Sequence, residues 1–224
     1  VILMPTESHT LTLILWIALT YLISSIPFSV LIGRLLLGVD IRTYGDGNPG
    51  ATNVLRASGN VPLFVISFLL DGFKSLIPVA IAYWLVGITG PEIVLIALAG
   101  ICGHVFSVFL GFRGGKAIAA SFGVWTALTV WEAPTMMGLL LLYWYASVEE
   151  SNWAVILMLL SFLLYLLLTS NASGVFQRGD NRLLLLWAGT FVVLLYKHRD
   201  GLGSLPTPKY WLPFIRKPEQ AKDQ

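Results

Sequence analysis

Seven apolar runs, separated by short polar stretches, leave this chain few ways to fold. They cover about residues 11–31, 61–86, 91–111, 117–131, 134–148, 152–169 and 182–196. A membrane-spanning helix takes roughly twenty apolar residues, so the fourth, fifth and seventh runs are short, as re-entrant pieces or a thin bundle would have them. The chain is 56% hydrophobic and 12% charged, against about a quarter charged in a soluble domain. The sequence therefore predicts an all-α, polytopic membrane bundle of about seven transmembrane helices. No internal repeat or low-complexity tract interrupts it. Residues 1–202 are expected to form a single integral-membrane domain, and residues 203–224 a Pro- and Lys-bearing cytoplasmic tail, partly disordered toward its end.

The placement of Lys and Arg sets the orientation. With the N-terminus outside, the inside segments carry Arg34, Arg42 and Arg56, then Arg113 and Lys116, then Lys197, Arg199 and the basic tail. The outside segments carry Arg178 and Arg182, partly offset by Asp180. The N-terminus is thus expected outside and the C-terminus in the cytoplasm. No signal peptide is expected, because the residues before Leu11 lack Lys and Arg and no small-residue cleavage site follows; Met4 is the alternative start to Val1. The net charge of +2 is scattered over loops, which speaks against nucleic acid as a partner. The single cysteine, Cys102, excludes an intrachain disulfide and a cysteine-based zinc site, and reads as a small buried hydrophobe. Eight tryptophans and eight tyrosines suit interfacial belts.

The longest polar interruption, residues 40–59, reads Asp-Ile-Arg-Thr-Tyr-Gly-Asp-Gly-Asn-Pro-Gly-Ala-Thr-Asn-Val-Leu-Arg-Ala-Ser-Gly. Gly45, Gly47 and Gly50 permit positive φ and close backbone approach to a ligand. Asp46, Asn48, Thr52 and Asn53 are interspersed with them, and Arg42 and Arg56 bring forked donors suited to phosphate or carboxylate. This is a backbone nest able to hold an anion. The plain alternative is a solvated inter-helix loop, which needs neither two amide side chains nor two arginines. A second cluster runs from Gly103-His104 to Gly111-Phe112-Arg113-Gly114-Gly115-Lys116. A glycine pair and a lysine at a helix start make an anion site, because free N–H groups and the helix dipole point the same way; an ordinary positive-inside loop is the alternative. It is not a Walker-type loop, since Leu110 and Ala117 stand where glycine and Ser or Thr are required.

Asp71 and Lys74 lie three apart on one face of the second span, either as a neutralising structural pair or as substrate contacts. His104 reads as a satisfied packing histidine. His198, directly after the last run, suits a phosphate, a donor or a proton, or equally an interfacial position. Glu132, Glu149 and Glu150 fall at span ends and read as solvated loop charges. No His/Asp/Glu cluster has metal-ligand spacing, and no Gly-x-Ser-x-Gly elbow is present; neither metal nor cofactor is expected.

Assembled in order, these residues resemble the PlsY family, the integral-membrane glycerol-3-phosphate acyltransferases that use acyl phosphate. The likeness runs in register through Ser25-Ile26-Pro27-Phe28, Leu31-Ile32-Gly33-Arg34 and the long motif from Gly47 to Arg56. It continues through Asp71 and Lys74, Gly103-His104, Gly114-Gly115-Lys116 and Lys197-His198-Arg199. The resemblance implies a seven-span bundle of the bacterial inner membrane with its active site toward the cytoplasm. It implies transfer of a fatty acyl chain from acyl phosphate to the 1-position hydroxyl of glycerol 3-phosphate, the first step of phospholipid synthesis. Lysophosphatidate and inorganic phosphate are the products, with no metal or coenzyme A. Lys116, Arg56 and His198 take the catalytic positions. Asp46, Asn48, Thr52, Asn53, Arg113, Gly114 and Gly115 take the substrate-binding ones. Beyond the two substrates and membrane lipid, no obligate protein partner is expected. An acyl phosphate is already activated, so positioning and charge neutralisation suffice, and a substrate phosphate is able to take the hydroxyl proton.

The chain departs from the family pattern in several places. Asp46 stands where serine is usual; at a phosphate site an ionised carboxylate repels the ligand unless it pairs with Arg42 or Arg56 or turns away. Gly201 stands where an asparagine usually follows the last histidine by three residues. Ala117 and Ala120 replace a glycine and a threonine, and Ser75 replaces a glycine. Asp46 and Gly201 together keep a second reading open, a diverged paralogue that binds an anionic lipid or phosphate metabolite without turnover. A small anion transporter would show two related halves, and none is found.

Overall fold

The computed structural model of the chain describes residues 6–169 and 181–209, which are helical and contain no strand beyond one isolated bridge. Arg178, Asp180 and the tail beyond residue 209 lie outside the described residues. The first apolar run holds α1 (Thr6–Ser24) and α2 (Phe28–Leu36), and α3 (Ala51–Ser58) is a short helix inside the polar island. The others are α4 (Val61–Ala80), α5 (Ile93–Val105), α6 (Ile118–Thr129), α7 (Glu132–Ser147), α8 (Ser151–Thr169) and α9 (Asn181–His198).

Each predicted run holds a helix. Among the described residues, four helical stretches are long and apolar enough to cross a bilayer: His9–Leu36, Val61–Leu85, Ile93–Leu110 and Ser151–Thr169. This is a multi-pass membrane protein. The runs expected to be short give α6, α7 and α9, of 12, 16 and 18 residues. At 1.5 Å per residue α6 is about 18 Å long. Its brevity goes with an inner position: Ala120, Val124 and Trp125 are fully buried, and Trp125 meets Phe162 of α8 edge-on.

Small residues let the helices close. α4 packs on α6, and a β-carbon on Gly123 would overlap the Gly72 carbonyl oxygen. α5 packs on α1 through Gly103, where a β-carbon would overlap the Tyr21 carbonyl oxygen. Between membrane helices such backbone approach is what dispersion forces reward.

Two proline sites open the backbone and are answered by side chains. Pro78, inside α4, lacks an N–H and leaves the Lys74 carbonyl without its helical donor; Ser24 Oγ donates to it at 3.3 Å. Beyond Pro78 the helix widens into a π-turn, Ile81–Leu85. At the α1–α2 break before Pro27, the Ser25 carbonyl accepts from Ser107 Oγ at 2.5 Å and the Ile26 carbonyl from Lys74 Nζ at 2.6 Å.

The stretches 37–60, 106–117, 148–151 and 199–209 gather at one end of the bundle, where they enclose the site described next. The opposite end is tied by Tyr165 donating to Glu132 at 2.8 Å, by Arg182 donating to the Thr89 carbonyl and by a His9–Glu92 pair at 3.8 Å. Glu132 is therefore a half-buried acceptor rather than a solvated loop charge, and Glu150 accepts from the Thr207 N–H at 2.9 Å. Residues 204–209 lie along the α7–α8 connection, with a bridge between Val148 and Pro208.

Candidate functional site

The polar island folds around its carboxylates. Asp40 caps the turn Ile41–Thr43 and binds Arg42 at 2.6 Å and Arg34 at 3.1 Å. The Arg42 guanidinium beside it holds the Asp40 carboxyl well below the usual carboxylate range. Arg42 is thereby committed to the loop. Gly45 and Gly47, at φ +56° and +70°, turn the chain back over α3, so closely that a β-carbon on Gly45 would overlap the Arg56 guanidinium.

That turn presents Asp46 to the second cluster. Its Oδ2 lies 2.9 Å from Lys116 Nζ, and its Oδ1 lies 3.4 Å from Arg56 Nη1. Asn53 Nδ2 and the Asn48 N–H donate to Oδ1 at 3.2 and 3.3 Å. The carboxylate thus pairs with Arg56 and Lys116, and not with Arg42. Burial pushes the Asp46 carboxyl up, but Lys116, the Asn48 N–H and Arg56 outweigh it and hold the group below the usual range. Asn53 is buried and spends its amide inside the loop, donating to the Asn48 carbonyl at 2.8 Å and accepting from Arg56 at 3.1 Å. It shapes the site rather than lining it.

Two cavities meet at Asp46, Asn48 and Lys116. The larger, about 440 Å³, also takes in Thr52, Arg56 and His198 and is walled on its apolar side by Phe64, Phe68, Leu141 and Tyr145. The smaller, about 350 Å³, is polar and carries Arg113, Gly114 and Lys197. The first residues of both α3 and α6 line the larger cavity. Helix N-termini bring unsatisfied N–H groups and the positive end of the dipole. With Lys116 and Arg56 they make this wall a strong anion site. Gly115 does not line either cavity; it packs on the His104 ring, which a β-carbon there would overlap.

At the depth of the larger cavity lies a buried ion pair. Asp71 receives Lys74 Nζ at 2.7 Å on one oxygen and Ser29 Oγ at 2.5 Å on the other. With the Ile26 carbonyl on Lys74 as well, both charges are partnered, as an intramembrane pair must be. His104 is not the satisfied packing residue expected: its Nδ1 is buried without a hydrogen-bond partner, 4.0 Å from Asp71, in a residue that lines the cavity. That Nδ1 faces Asp71 on another helix, at a distance too long for a hydrogen bond, is not disclosed by local sequence.

A family model described as glycerol-3-phosphate acyltransferase matches residues 14–206. The chain belongs to this family, the PlsY enzymes. A glycerol-3-phosphate acyltransferase of Anaeromyxobacter sp. (strain Fw109-5) is 46% identical over 129 residues, 56% of this chain and 63% of that protein. The match therefore spans just under two thirds of that relative's length. Another, of Anaeromyxobacter sp. (strain K), is 37% identical over 200 residues, covering 85% of this chain and 92% of that one. The crystal structure of PlsY, an integral membrane glycerol 3-phosphate acyltransferase, in its glycerol 3-phosphate form has a TM-score of 0.72 at 31% identity, covering 84% of this chain and 89% of that one. Its lysophosphatidic acid form has a TM-score of 0.69 at 29% identity over the same shares.

The apolar wall, with Phe64, Phe68, Leu141 and Tyr145, is not marked by any motif in the sequence, and neither is one polar side chain at the site. Asn152, in the first turn of α8, accepts from Lys116 Nζ at 3.3 Å and lies 2.8 Å from His198 Nδ1. The only signal for it was a polar residue beside Glu149, Glu150 and Ser151 at a connection placed on the same face as the two glycine clusters.

Proposed function

We propose that this chain transfers a fatty acyl group from acyl phosphate to the 1-position hydroxyl of glycerol 3-phosphate, releasing lysophosphatidate and inorganic phosphate. It does so at the cytoplasmic face of the bacterial inner membrane, in the first step of phospholipid synthesis, as a seven-span bundle with its N-terminus outside. The observation that carries the reading is Lys116 at the junction of an apolar-walled cavity and a polar, cationic one. Two phosphorylated substrates, one greasy and one not, need that arrangement.

In this reading the acyl tail lies along Phe64, Phe68 and Leu141, and its phosphate meets Arg56, Lys116 and the N-termini of α3 and α6. Glycerol 3-phosphate enters beside Arg113 and Lys197. The hydroxyl oxygen attacks the acyl carbonyl carbon, a C–O bond forms, and the bond from that carbon to the phosphate oxygen breaks. The departing phosphate takes the hydroxyl proton. Donors fixed before the reaction stabilise charge as it moves, and closeness of the two substrates supplies the rest.

The second reading, binding without turnover, draws on Asp46, whose carboxylate already occupies Lys116 and Arg56. The two separate on one measurement, lysophosphatidate formation by the purified protein in lipid with acyl phosphate and glycerol 3-phosphate, run beside an acyl-coenzyme A control. Product from acyl phosphate alone is expected. Lys116→Ala and Arg56→Ala are each expected to lower kcat/KM at least about 100-fold. Folded protein without product would leave the binding reading in place, and near-native rates in both variants would remove these two residues from the mechanism.

A further inference from the structure

Two side chains from distant parts of the sequence, Lys116 and His198, meet at Asn152. Its Oδ1 lies 3.3 Å from Lys116 Nζ and 2.8 Å from His198 Nδ1. An ammonium offers only donors, so the amide turns its oxygen, and not its NH2, toward Lys116. That oxygen only accepts, so the His198 nitrogen facing it carries the proton. The other ring nitrogen, Nε2, is left with its lone pair. It is buried without a hydrogen-bond partner, in a residue that lines the larger cavity. On the far side, a β-carbon on Gly201 would overlap the Asn152 amide. Glycine at 201 is the room that Asn152 occupies.

We infer that Asn152 is a positioning residue. It holds His198 as the Nδ1–H tautomer, so that Nε2 accepts a hydrogen bond from the substrate hydroxyl, and it steadies Lys116 at the junction of the cavities. This rests on the acyltransfer reading above. Asn152 makes and breaks no bond; the hydroxyl proton is held at Nε2 until the departing phosphate takes it.

Nitrogen NMR of isotope-labelled histidine reads the tautomer directly and without substrate. The chain has three histidines, and the His198 signal is assigned by its loss in His198→Gln. The native protein is expected to carry the proton on Nδ1. In Asn152→Leu the signal should become a tautomer mixture, with kcat/KM lowered about 10- to 100-fold, mainly in kcat. Asn152→Asp keeps an acceptor for both partners and should keep the Nδ1 proton. Gly201→Val, which crowds the amide out and brings no acceptor of its own, should reproduce the Asn152→Leu spectrum. A native tautomer or unchanged kcat/KM in folded Asn152→Leu overturns the inference, as does loss of the Nδ1 proton in Asn152→Asp. If Asn152→Leu does not fold, Gly201→Val and Asn152→Asp decide on their own. Expected tautomers in a protein that makes no lysophosphatidate would sink the acyltransfer reading and leave the role of Asn152 standing.

Discussion

At the scale of single residues, Asp46 is where substrate phosphate and protein compete in the proposed reaction. Its carboxylate sits on the two cations best placed for a phosphate, at 2.9 and 3.4 Å. The three side chains are 28–48% exposed, and solvent-accessible pairs contribute only about 0.2–1 kcal/mol. A doubly charged acyl-phosphate headgroup backed by two helix N-termini is therefore expected to displace it. Asp46→Ser is expected to lower the KM for acyl phosphate by up to about fivefold, the equivalent of that range, while kcat stays within about twofold. Because the Asp46 carboxyl is held below its ordinary value, its braced form is present above that value and is lost only as pH falls through the lowered one. The native-to-variant KM ratio should then stay flat between about pH 5 and pH 8, since substrate ionisation is common to both proteins. A ratio that drifts across that window would mean Asp46 titrates there and is not paired as described. The resemblance named Lys116, Arg56 and His198 from local motifs, and all three line one cavity. Asn152 was illegible because its partners come from other connections, and Gly201 looked like a plain loss until the space beside it proved to be filled. Ala117 is a further case: it takes φ +61° at the start of α6, which explains a glycine as the usual residue there.

At the scale of elements, the helices were legible because hydrophobic runs and polar punctuation are local signals. Where a run breaks was less so. The break at Pro27 divides the first run into α1 and α2, and what stabilises it lies far along the chain, at Lys74 and Ser107. Helix pairing is likewise set by which small residues face each other, and a single sequence does not order those pairs. The α4–α6 contact at Gly72 and Gly123 is the tightest example. Gly123→Val drives a side chain into a backbone oxygen that cannot step aside, and overpacking of this kind costs about 1–3 kcal/mol. Gly138 in α7 is the matched control, because a β-carbon there meets nothing closer than 3.7 Å and alanine is the better helix former. Thermal unfolding in detergent should show Gly123→Val well below the native protein and Gly138→Ala at or above it. Equal destabilisation of both would mean that α4 and α6 do not approach as closely as described.

At the scale of the whole molecule, the charge rule and the fold meet in one consequence. The stretches richest in Lys and Arg are the ones that enclose the two cavities, while the Glu92, Thr89 and Glu132 contacts tie the opposite end. With the positive end toward the cytoplasm, the cationic cavity faces the aqueous compartment from which the proposed reaction draws its soluble substrate. The single cysteine makes this testable, because Cys102 is half-buried in α5 and its replacement by alanine leaves a cysteine-free chain. In that background Thr43→Cys, on an exposed turn at the cavity end, and Gly87→Cys, between α4 and α5 at the other end, are treated with a membrane-impermeant maleimide. In right-side-out cells Gly87→Cys is expected to label and Thr43→Cys to label only after the membrane is opened. The reverse pattern would place the active site outside, away from its proposed water-soluble substrate. Labelling of both from one side would show that the stretch Val61–Leu85 does not cross, and with it the alternation that sets the two ends apart would fail.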